Sequence, residues 1–453
     1  MHKVWIQVRS SLWFVPTLLV LAGIALGLFL VQVDIWYGSD WKIHKQHPFF
    51  GAGAEGSRGM LAAIAGSVIT VAGVAFSVTI VTLSLASTQY TPRIVRIFMG
   101  DRWNQFVLGS FVGIFAYCLI VMRTIRTGSE DEASFVPLIA VFFGMLLALL
   151  SIACLIFFIH HTASSIQASS ILAAINQETI AAIDRVRPEE NGDDEPADAS
   201  AGEGIVGPWH PIVARSTGYL QSVDLRALLQ FACRQKTIVR IEHAVGDFVI
   251  KDSTVAACGR PLDKDEAQEL RASIVVGEFR DINQDPGFGI RQIVDIAMKA
   301  LSPGVNDTST AVSCLDYLSA ILSVLVVRRA GSPYRIDDAG TVRVISPASD
   351  FEHLVAKSMD EIRLSADGNV TILLQMLRAL AQVAEIAPPG RKPPLLRHAR
   401  LIANSADRTV VEPYDRQRIN ERLACILPLL EANPGELPPI RPEQEVKPAP
   451  RST

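Results

Sequence analysis

Four stretches of the chain contain no charged residue and are long enough to cross a membrane. They cover 10–33, 59–92, 103–122 and 133–159. A helix needs about 20 apolar residues to cross the hydrocarbon core of a bilayer. One such run would also suit a buried core helix, but four of them predict four transmembrane helices within 1–165. The first run is too long for the apolar part of a signal peptide, so we interpret it as a retained anchor.

The second run carries small and hydroxyl side chains at helical spacing, with Val, Ile and Leu on its other side. We call this set the small-residue face, and it comprises Gly66, Thr70, Gly73, Ser77 and Ser84. One interpretation is close helix packing, because small residues let backbones approach each other. The other is a surface that both packs and faces a pore in an oligomer. The sequence leaves both open.

Two further features bear on the membrane domain. Gly109 and Gly113 in the third run have the G-x-x-x-G spacing, which predicts a packing face. None of the four runs contains Asp, Glu, Lys or Arg. Coupled transporters generally keep an ionisable group inside the membrane, so this absence favours a passive channel or a plain anchor.

The chain after the fourth run changes character several times. Apolar positions at helical spacing predict that the fourth helix extends over 166–188. An acidic stretch without large apolar residues follows at 189–204 and predicts a flexible linker. At the other end, 433–453 contains six prolines and predicts a disordered tail.

Strand and helix patterns alternate in the first part of the remaining sequence. Strands are predicted at 217–223, 237–243, 246–250 and 273–279, and Asp224 is predicted to cap a helix after the first of them. The turn residues between the second and third strands predict a hairpin.

Helical patterns then dominate. Helices are predicted at 288–301, from Asp307 to about residue 327, and from 350 to about 430, with a strand near 342–345. The expected fold class is therefore a membrane α-helical domain, then a cytoplasmic α/β unit at 205–346 and a cytoplasmic α-helical bundle at 347–432.

Charge divides the chain in the same way. Residues 1–165 contain 10 Lys/Arg and 7 Asp/Glu, whereas 166–453 contain 32 and 39. The first composition excludes a purely soluble protein, and the weak net charge argues against nucleic acid as a partner. The basic loop at 93–102 indicates a cytoplasmic side, which places both termini in the cytoplasm. Scattered cysteines without a C-x-x-C pair suit a reducing compartment.

Motifs for catalysis and cofactor binding are absent from the sequence. It contains no P-loop, no G-x-G-x-x-G after a strand, no G-x-S-x-G and no H-E-x-x-H. No spaced set of cysteines and histidines indicates a metal, and His160–His161 suits a membrane interface better. We therefore expect no enzymatic activity, no cofactor and no metal.

The densest group of polar residues lies around two glycine-bearing turns at 280–318. We call the following residues the polar cluster: Arg280, Asp285, Arg291, Asp295, Asn306 and Asp307. Helix capping explains much of it, with Asp285 before Pro286 and either Asn306 or Asp307 at the next helix. The arginines would then pair with the acids. A ligand or ion site is the alternative.

Several long motifs carry a resemblance to a known family. The segments VAGVAFSVTIVTLSLASTQYTPRIVRIF, LIFFIHHTASSIQ and QDPGFGIRQIVDIAMKALSPGVND closely resemble a family of predicted bacterial membrane proteins, domain of unknown function 2254. The resemblance covers about 5–430 and leaves out the acidic linker and the tail. It implies a protein of the bacterial inner membrane, and it transfers no catalytic or binding residue.

Two functions stay open at this point. The first is a homo-oligomeric channel whose second helix lines the path and whose cytoplasmic domain regulates it. The second is a membrane-anchored sensor or scaffold without transport. The expected partners are the lipid bilayer and further copies of the same chain.

Overall fold

The computed structural model describes residues 13–37, 53–89, 101–127, 135–165, 167–186, 207–328, 332–347, 350–366, 368–433, 435–437 and 439–441. It divides into two compact units, Met1–Ser170 and Ile171–Thr453, called here the N-terminal and C-terminal units. The acidic linker predicted at 189–204 lies outside the described residues, as do most of the basic loop at 93–102 and the tail after 441.

Each of the four charge-free runs forms a helix of the N-terminal unit. These helices are α1 (Phe14–Tyr37), α2 (Ala54–Gln89), α3 (Arg102–Thr124) and α4 (Leu138–Ser165). Even α3, with 23 residues, spans about 34 Å at 1.5 Å per residue, enough for a hydrocarbon core of about 30 Å. A fifth helix of the described residues, Thr308–Val327 in the C-terminal unit, is also long and apolar enough to cross a membrane.

Helix α3 packs tightly against α1 through its glycines. A Cβ added to Gly109 would lie 2.7 Å from Cα of Pro16, and one added to Gly113 would lie 2.8 Å from the carbonyl oxygen of Leu19. Only glycine leaves room for these backbones, so the packing role predicted from the G-x-x-x-G spacing is confirmed.

Helix α1 continues past its charge-free run and includes an acid. Asp34 is buried, and its carboxylate accepts hydrogen bonds from the backbone N–H groups of Ile139 and Ala140, both at 3.0 Å. The charge-free run itself ends at residue 33, and Asp34 lies just beyond it in the last turn of α1. The free N–H groups at the start of α4 give the carboxylate its partners.

The predicted extension of α4 is a separate helix, α5 (Ala168–Val186). Helix α4 ends at Ser165, where the hydroxyls of Ser164 and Ser165 donate to the carbonyl oxygens of His160 and His161. Such bonds to the preceding turn bend helices, which accounts for the break.

The C-terminal unit contains two small sheets. Their strands are β1 (His210–Val213), β2 (Gly218–Val223), β3 (Val239–Ile241), β4 (Phe248–Val249), β5 (Thr254–Cys258), β6 (Ile274–Gly277), β7 (Tyr334–Ile336) and β8 (Val342–Ile345). One sheet has the order β1-β5-β3-β8-β7 and the other has the order β4-β2-β6. Among these pairs only β3 and β8 run parallel. The strands predicted from 217, 237, 246, 273 and 342 are confirmed, whereas β1, β5 and β7 were not predicted.

The hairpin predicted between β3 and β4 is wrong. Gly246 does form a turn with φ of +97°, but β4 pairs with β2 and β3 pairs with β5. Strand β4 has only two residues, whereas β5 has five, four of them buried. The longer buried strand offers β3 more ladder hydrogen bonds and more apolar contact.

Eight α-helices of the described C-terminal unit follow α5. They are α6 (Leu225–Arg234), α7 (Lys264–Ala272), α8 (Pro286–Ala300), α9 (Thr308–Val327), α10 (Phe351–Ala366), α11 (Val370–Ile386), α12 (Lys392–Thr409) and α13 (Pro413–Leu429). Asp224 caps α6 as predicted, by accepting from the N–H of Ala227 at 3.0 Å. Helix α7 was not predicted.

The helices do not separate from the strands along the sequence. Helix α8 packs against α9 and α10, and α9 packs against α11. Strands β7 and β8, which lie between α9 and α10 in the sequence, belong to the first sheet. The division into units at 346 and 347 stays a prediction.

The chain after α13 is held against the helices. Leu437 and Ile440 are buried, and Asn420 exchanges two hydrogen bonds with the backbone of Ile440, at 2.9 and 2.8 Å. The guanidinium of the fully buried Arg416 donates to the carbonyl oxygen of Arg441. The described residues 435–437 and 439–441 are therefore held by two apolar side chains and buried polar groups, while most of the disordered tail predicted at 433–453 lies outside the described residues.

Candidate functional site

Helix α2 uses one side to pack within its own unit. The residues buried on this side are Leu61, Ala65, Val68, Ala72 and Ala75. They alternate spacings of four and three, so they form one continuous seam along the helix. This seam joins the apolar core that also contains Phe111 and Tyr117 of α3.

The small-residue face lies on the other side of α2. At about 100° per residue, it is rotated by about 150° from the buried seam. Its members are all exposed in the single chain, namely Gly66, Thr70, Gly73, Ser77 and Ser84. The described chain therefore does not use this face for packing. Whether the face packs against another copy or also lines a pore depends on contacts outside the single chain.

The glycines make this difference concrete. Apart from the nearby backbone of α2 itself, no atom of the described residues lies within 4 Å of a Cβ added to Gly59, Gly66 or Gly73, which share the outward side of α2. Glycines of α1 and α3 have no such space, since a Cβ on Gly23 would overlap the carbonyl oxygen of Gly113. Glycines of α1 and α3 thus lie in close helix contacts, whereas these glycines of α2 face open space.

The hydroxyls of the small-residue face are compatible both with lipid and with contact to water. Thr70 donates its hydroxyl hydrogen to the carbonyl oxygen of Gly66 at 2.8 Å. That bond satisfies the donor, and the oxygen lone pairs stay available to water, a cation or a neighbouring helix. Large apolar residues such as Val78 and Leu85 are exposed to the side of this face.

The polar cluster is not one site in the structure. Asp285 caps α8 as predicted, with Oδ1 accepting from the N–H of Phe288 at 3.0 Å, and its Oδ2 accepts from Nε of Arg280 at 3.1 Å. Further along the same helix, Nε of Arg291 lies 2.7 Å from Oδ1 of Asp295. Arg291 also pairs with Glu361 of α10.

The other two members lie beyond the opposite end of α8. Asn306 adopts a left-handed φ of +47°, and Asp307 caps α9 by accepting from the N–H of Thr310 at 3.0 Å. The alternative between Asn306 and Asp307 is thereby decided for Asp307. The hydrogen bonds from the side chain and backbone of Thr310 lower the pKa of Asp307. Helix α8, with 15 residues, is about 22 Å long and separates this pair from Asp285.

Two residues near Asp285 were missed by the sequence reasoning. A Cβ on Gly246 would overlap Oδ2 of Asp285, and Nζ of Lys357 lies 3.2 Å from the position of a Cβ on Gly287. Burial, together with Arg280 and Arg291, lowers the pKa of Lys357. Both residues are distant from Asp285 in sequence; Gly246 was predicted only as part of a turn, and no local pattern marks Lys357.

The charges of this group offset one another. Arg280 pairs with Asp285, and Arg291 pairs with Asp295 and Glu361. Within the described residues, no group of three or more His, Cys, Asp or Glu side chains could hold a metal ion. The arrangement orders the start of α8 and ties it to α10.

In the N-terminal unit, His161 near the end of α4 has a partner that the sequence did not indicate. Its Nε2 lies 2.6 Å from Oδ2 of Asp101, whose other oxygen caps α3 by accepting from the N–H of Trp103. The ring of Phe157 stacks on His161 and contacts Trp103. One histidine of the predicted pair thus fastens α4 to the start of α3.

Comparisons with known proteins agree with the membrane character of the helices. A model of the predicted membrane proteins called domain of unknown function 2254 matches residues 9–382. Uncharacterised proteins of Mycobacterium tuberculosis (strain CDC 1551 / Oshkosh) and Mycobacterium bovis are each 30% identical over 447 residues, covering 95% of this chain and 82% of theirs. No solved structure matches the chain. The chain belongs to the family of predicted membrane proteins with domain of unknown function 2254.

Proposed function

We propose that α1 to α4 cross a bacterial inner membrane and that α9 is a core helix of the C-terminal unit. Helix α9 packs against α8, α10 and α11. Asp316 on α9 accepts a hydrogen bond from Gln375, and the hydroxyl of Ser319 donates to Gln382 at 3.1 Å. Enclosure by neighbouring helices and polar contacts to α11 support a core position for α9.

We further propose that both termini and the C-terminal unit are cytoplasmic. Cys425 on α13 is exposed and offers a natural reporter for this orientation. A membrane-impermeant thiol reagent should leave Cys425 unlabelled in intact cells and label it after lysis. Labelling in intact cells would place the C-terminal unit outside.

The function that we propose is a homo-oligomeric channel, with the C-terminal unit as its regulatory part. One observation carries this proposal: the small-residue face points away from the helices of its own chain, with open space at Gly66 and Gly73. Helices in lipid associate through close packing at small residues, so a second copy of α2 is a suitable neighbour. The hydroxyls of Thr70 and Ser77 would then offer oxygen atoms to water or an ion between the copies.

The alternative is a membrane-anchored sensor or scaffold in which the same face only joins copies. The large C-terminal unit, with its ion pairs along α8, suits either role. No enzymatic activity is part of the proposal, and the acids of the polar cluster, Asp285, Asp295 and Asp307, serve as helix caps or ion-pair partners.

Cysteine accessibility separates the two functions. Thr70→Cys, Ser77→Cys and Ser84→Cys would be made singly in a cysteine-free background, with Val78→Cys and Leu85→Cys as controls to the side of the face. A membrane-impermeant thiol reagent should label the first three in the folded oligomer if they face an aqueous path. The two controls should stay unlabelled in lipid.

The oligomeric state in detergent completes the test. Uniform protection at all five positions, in protein shown to be folded and oligomeric, would contradict the channel and leave the scaffold. A folded monomer would contradict both the channel and the use of this face for assembly, since four helices leave no room for a lined pore.

A further inference from the structure

Helix α5 follows the last helix of the N-terminal unit directly, yet it is built into the C-terminal unit. Only Ile166 and Gln167 separate it from the end of α4. One face of α5 is almost completely buried, and it consists of Ile171, Leu172, Ile175, Thr179, Ala182 and Ile183. A helix that merely extended into water would not bury a continuous apolar face.

The contact of α5 with α8 has room only for a glycine. A Cβ added to Gly289 would overlap the hydroxyl oxygen of Thr179 and lie 2.9 Å from its Cβ. Thr179 is fully buried, and its hydroxyl donates to the carbonyl oxygen of Ile175 at 2.6 Å. The side chain therefore has little freedom to move aside, and the two helices stay at this distance.

Polar contacts fasten the end of α5 as well. Asp184 forms an ion pair with Arg328, at the end of α9, with a distance of 2.8 Å. Nε of Arg185 donates to the carbonyl oxygen of Asn283, just before α8, at 3.2 Å. Helix α5 is thus held to α8 and to residues next to the ends of α8 and α9.

We infer that α5 is the coupling element of the protein, which carries changes in the packing of α8 to the end of α4. This inference rests on the proposed membrane position of α4, and it does not require that anything is transported. Helix α5 belongs to the C-terminal unit by packing and continues α4 by sequence. A change that moves α8 therefore moves the residues to which α4 is joined.

Gly289→Ala tests the docking, with Gly304→Ala as its matched control. The first change forces a Cβ into Thr179, whereas no atom lies within 4 Å of a Cβ on Gly304. In the full-length protein in detergent, hydrogen exchange of the α5 amides should become about tenfold faster or more in Gly289→Ala, as expected of an overpacked contact. The amides of α11 and α12 should keep their protection, which shows that the unit is folded.

A second substitution should reverse the effect. Thr179→Gly removes all three atoms that meet the new Cβ, so the double variant Gly289→Ala/Thr179→Gly should regain slow exchange in α5. Unchanged exchange in Gly289→Ala would overturn the docking, because the contact would then tolerate a methyl group.

Coupling needs a readout on α4. Ala163 is exposed near the end of α4, and Ala163→Cys in a cysteine-free background reports its surroundings through the rate of thiol labelling. That rate should change in Gly289→Ala and return to the original value in the double variant. Faster exchange in α5 with an unchanged labelling rate at position 163 would refute the coupling while leaving the docking intact. A failure of the channel proposal would show at positions 70, 77 and 84 and would not affect these readouts.

Discussion

In the N-terminal unit, α1 and α3 meet backbone to backbone at glycines, whereas α9 and α11 of the C-terminal unit bury large apolar side chains, and α6, α8 and α9 begin at capping aspartates. The solvent explains the difference. Lipid gives no hydrophobic gain when helices associate, so close fit and backbone contact must supply it. In water, the burial of apolar surface stabilises the packed helices, and the unpaired N–H and C=O groups at helix ends need polar partners.

Charged groups follow the same division. In the N-terminal unit, the buried carboxylate of Asp34 is used to satisfy two backbone N–H groups. In the C-terminal unit, Arg291 pairs with Glu361 and Arg328 pairs with Asp184, which lie 70 and 144 residues apart in the sequence. The buried carboxylate of Asp34 thus completes backbone hydrogen bonds between α1 and α4, whereas these two ion pairs join side chains far apart in the sequence.

Truncation of the C-terminal unit should have the largest effect. Ending the chain after Asn433 removes the buried side chains of Leu437 and Ile440 and should cost about 3–6 kcal/mol of the unit's free energy of unfolding, at about 1.5–3 kcal/mol per side chain. Chemical denaturation followed by tryptophan fluorescence measures this change.

The matched control ends the chain after Pro442 and keeps every described contact of 435–437 and 439–441. Its stability should equal that of the full chain. If the chain that ends at Asn433 is as stable as the full chain, this would contradict the packing of Leu437 and Ile440. It would support the disordered tail that the sequence predicted.

Gly23→Ala should have the next largest effect and tests close packing in the N-terminal unit. The new Cβ would overlap the carbonyl oxygen of Gly113, and backbone cannot move aside as a side chain does, so we expect a loss of about 3 kcal/mol. Gly73→Ala is the control, since its Cβ meets open space within the chain. In monomeric protein in detergent, thermal unfolding should show a lowered midpoint for Gly23→Ala and an unchanged midpoint for Gly73→Ala. Equal midpoints would break the distinction between the closed and open glycines.

Asp34→Ala tests whether the buried acid serves the backbone. It leaves the N–H groups of Ile139 and Ala140 without their acceptor, which should cost about 2 kcal/mol. Asp34→Asn keeps one acceptor oxygen and should recover part of the loss. The exposed Glu55, changed to Ala, serves as control. If Asp34→Ala is as stable as the original protein by thermal unfolding, the carboxylate has a role other than capping α4.

Local features of the sequence could be predicted, because their partners lie a few residues away. Asp224, Asp285 and Asp307 were identified as caps from the residues beside them, and each accepts from a backbone N–H three residues ahead. The apolar runs gave the four N-terminal helices for the same reason. Capping and periodicity are written into short stretches of chain.

Pairings over long distances could not be predicted. The turn at Gly246 was correct, but nothing nearby indicates that β3 prefers β5. On α2, the buried seam and the small-residue face have the same spacing, so the sequence could not tell which one the chain itself would cover. Lys357 approaches Gly287 only because α10 packs against α8.

The smallest effect that we predict concerns acid and the packing of α10 against α12. His398 on α12 is buried, and its Nδ1 lies 3.6 Å from Oδ1 of Asp360 on α10. Burial lowers the pKa of His398; Asp360 opposes this shift, and Arg397 and Arg363 add to it. The native unit thus binds this proton less readily than the unfolded chain does.

The sign of the pH dependence follows from this difference. The contribution of neutral His398 to stability is complete above the unfolded pKa of about 6.5, and it is lost as the pH falls through the lower pKa of the folded state. His398→Leu removes the titrating group and should reduce the difference in unfolding midpoint between pH 7.5 and pH 5. His353→Gln, at an exposed histidine of α10, should leave that difference unchanged. If His398→Leu keeps the full acid sensitivity, the C-terminal unit loses stability in acid through the carboxylates of its ion pairs instead.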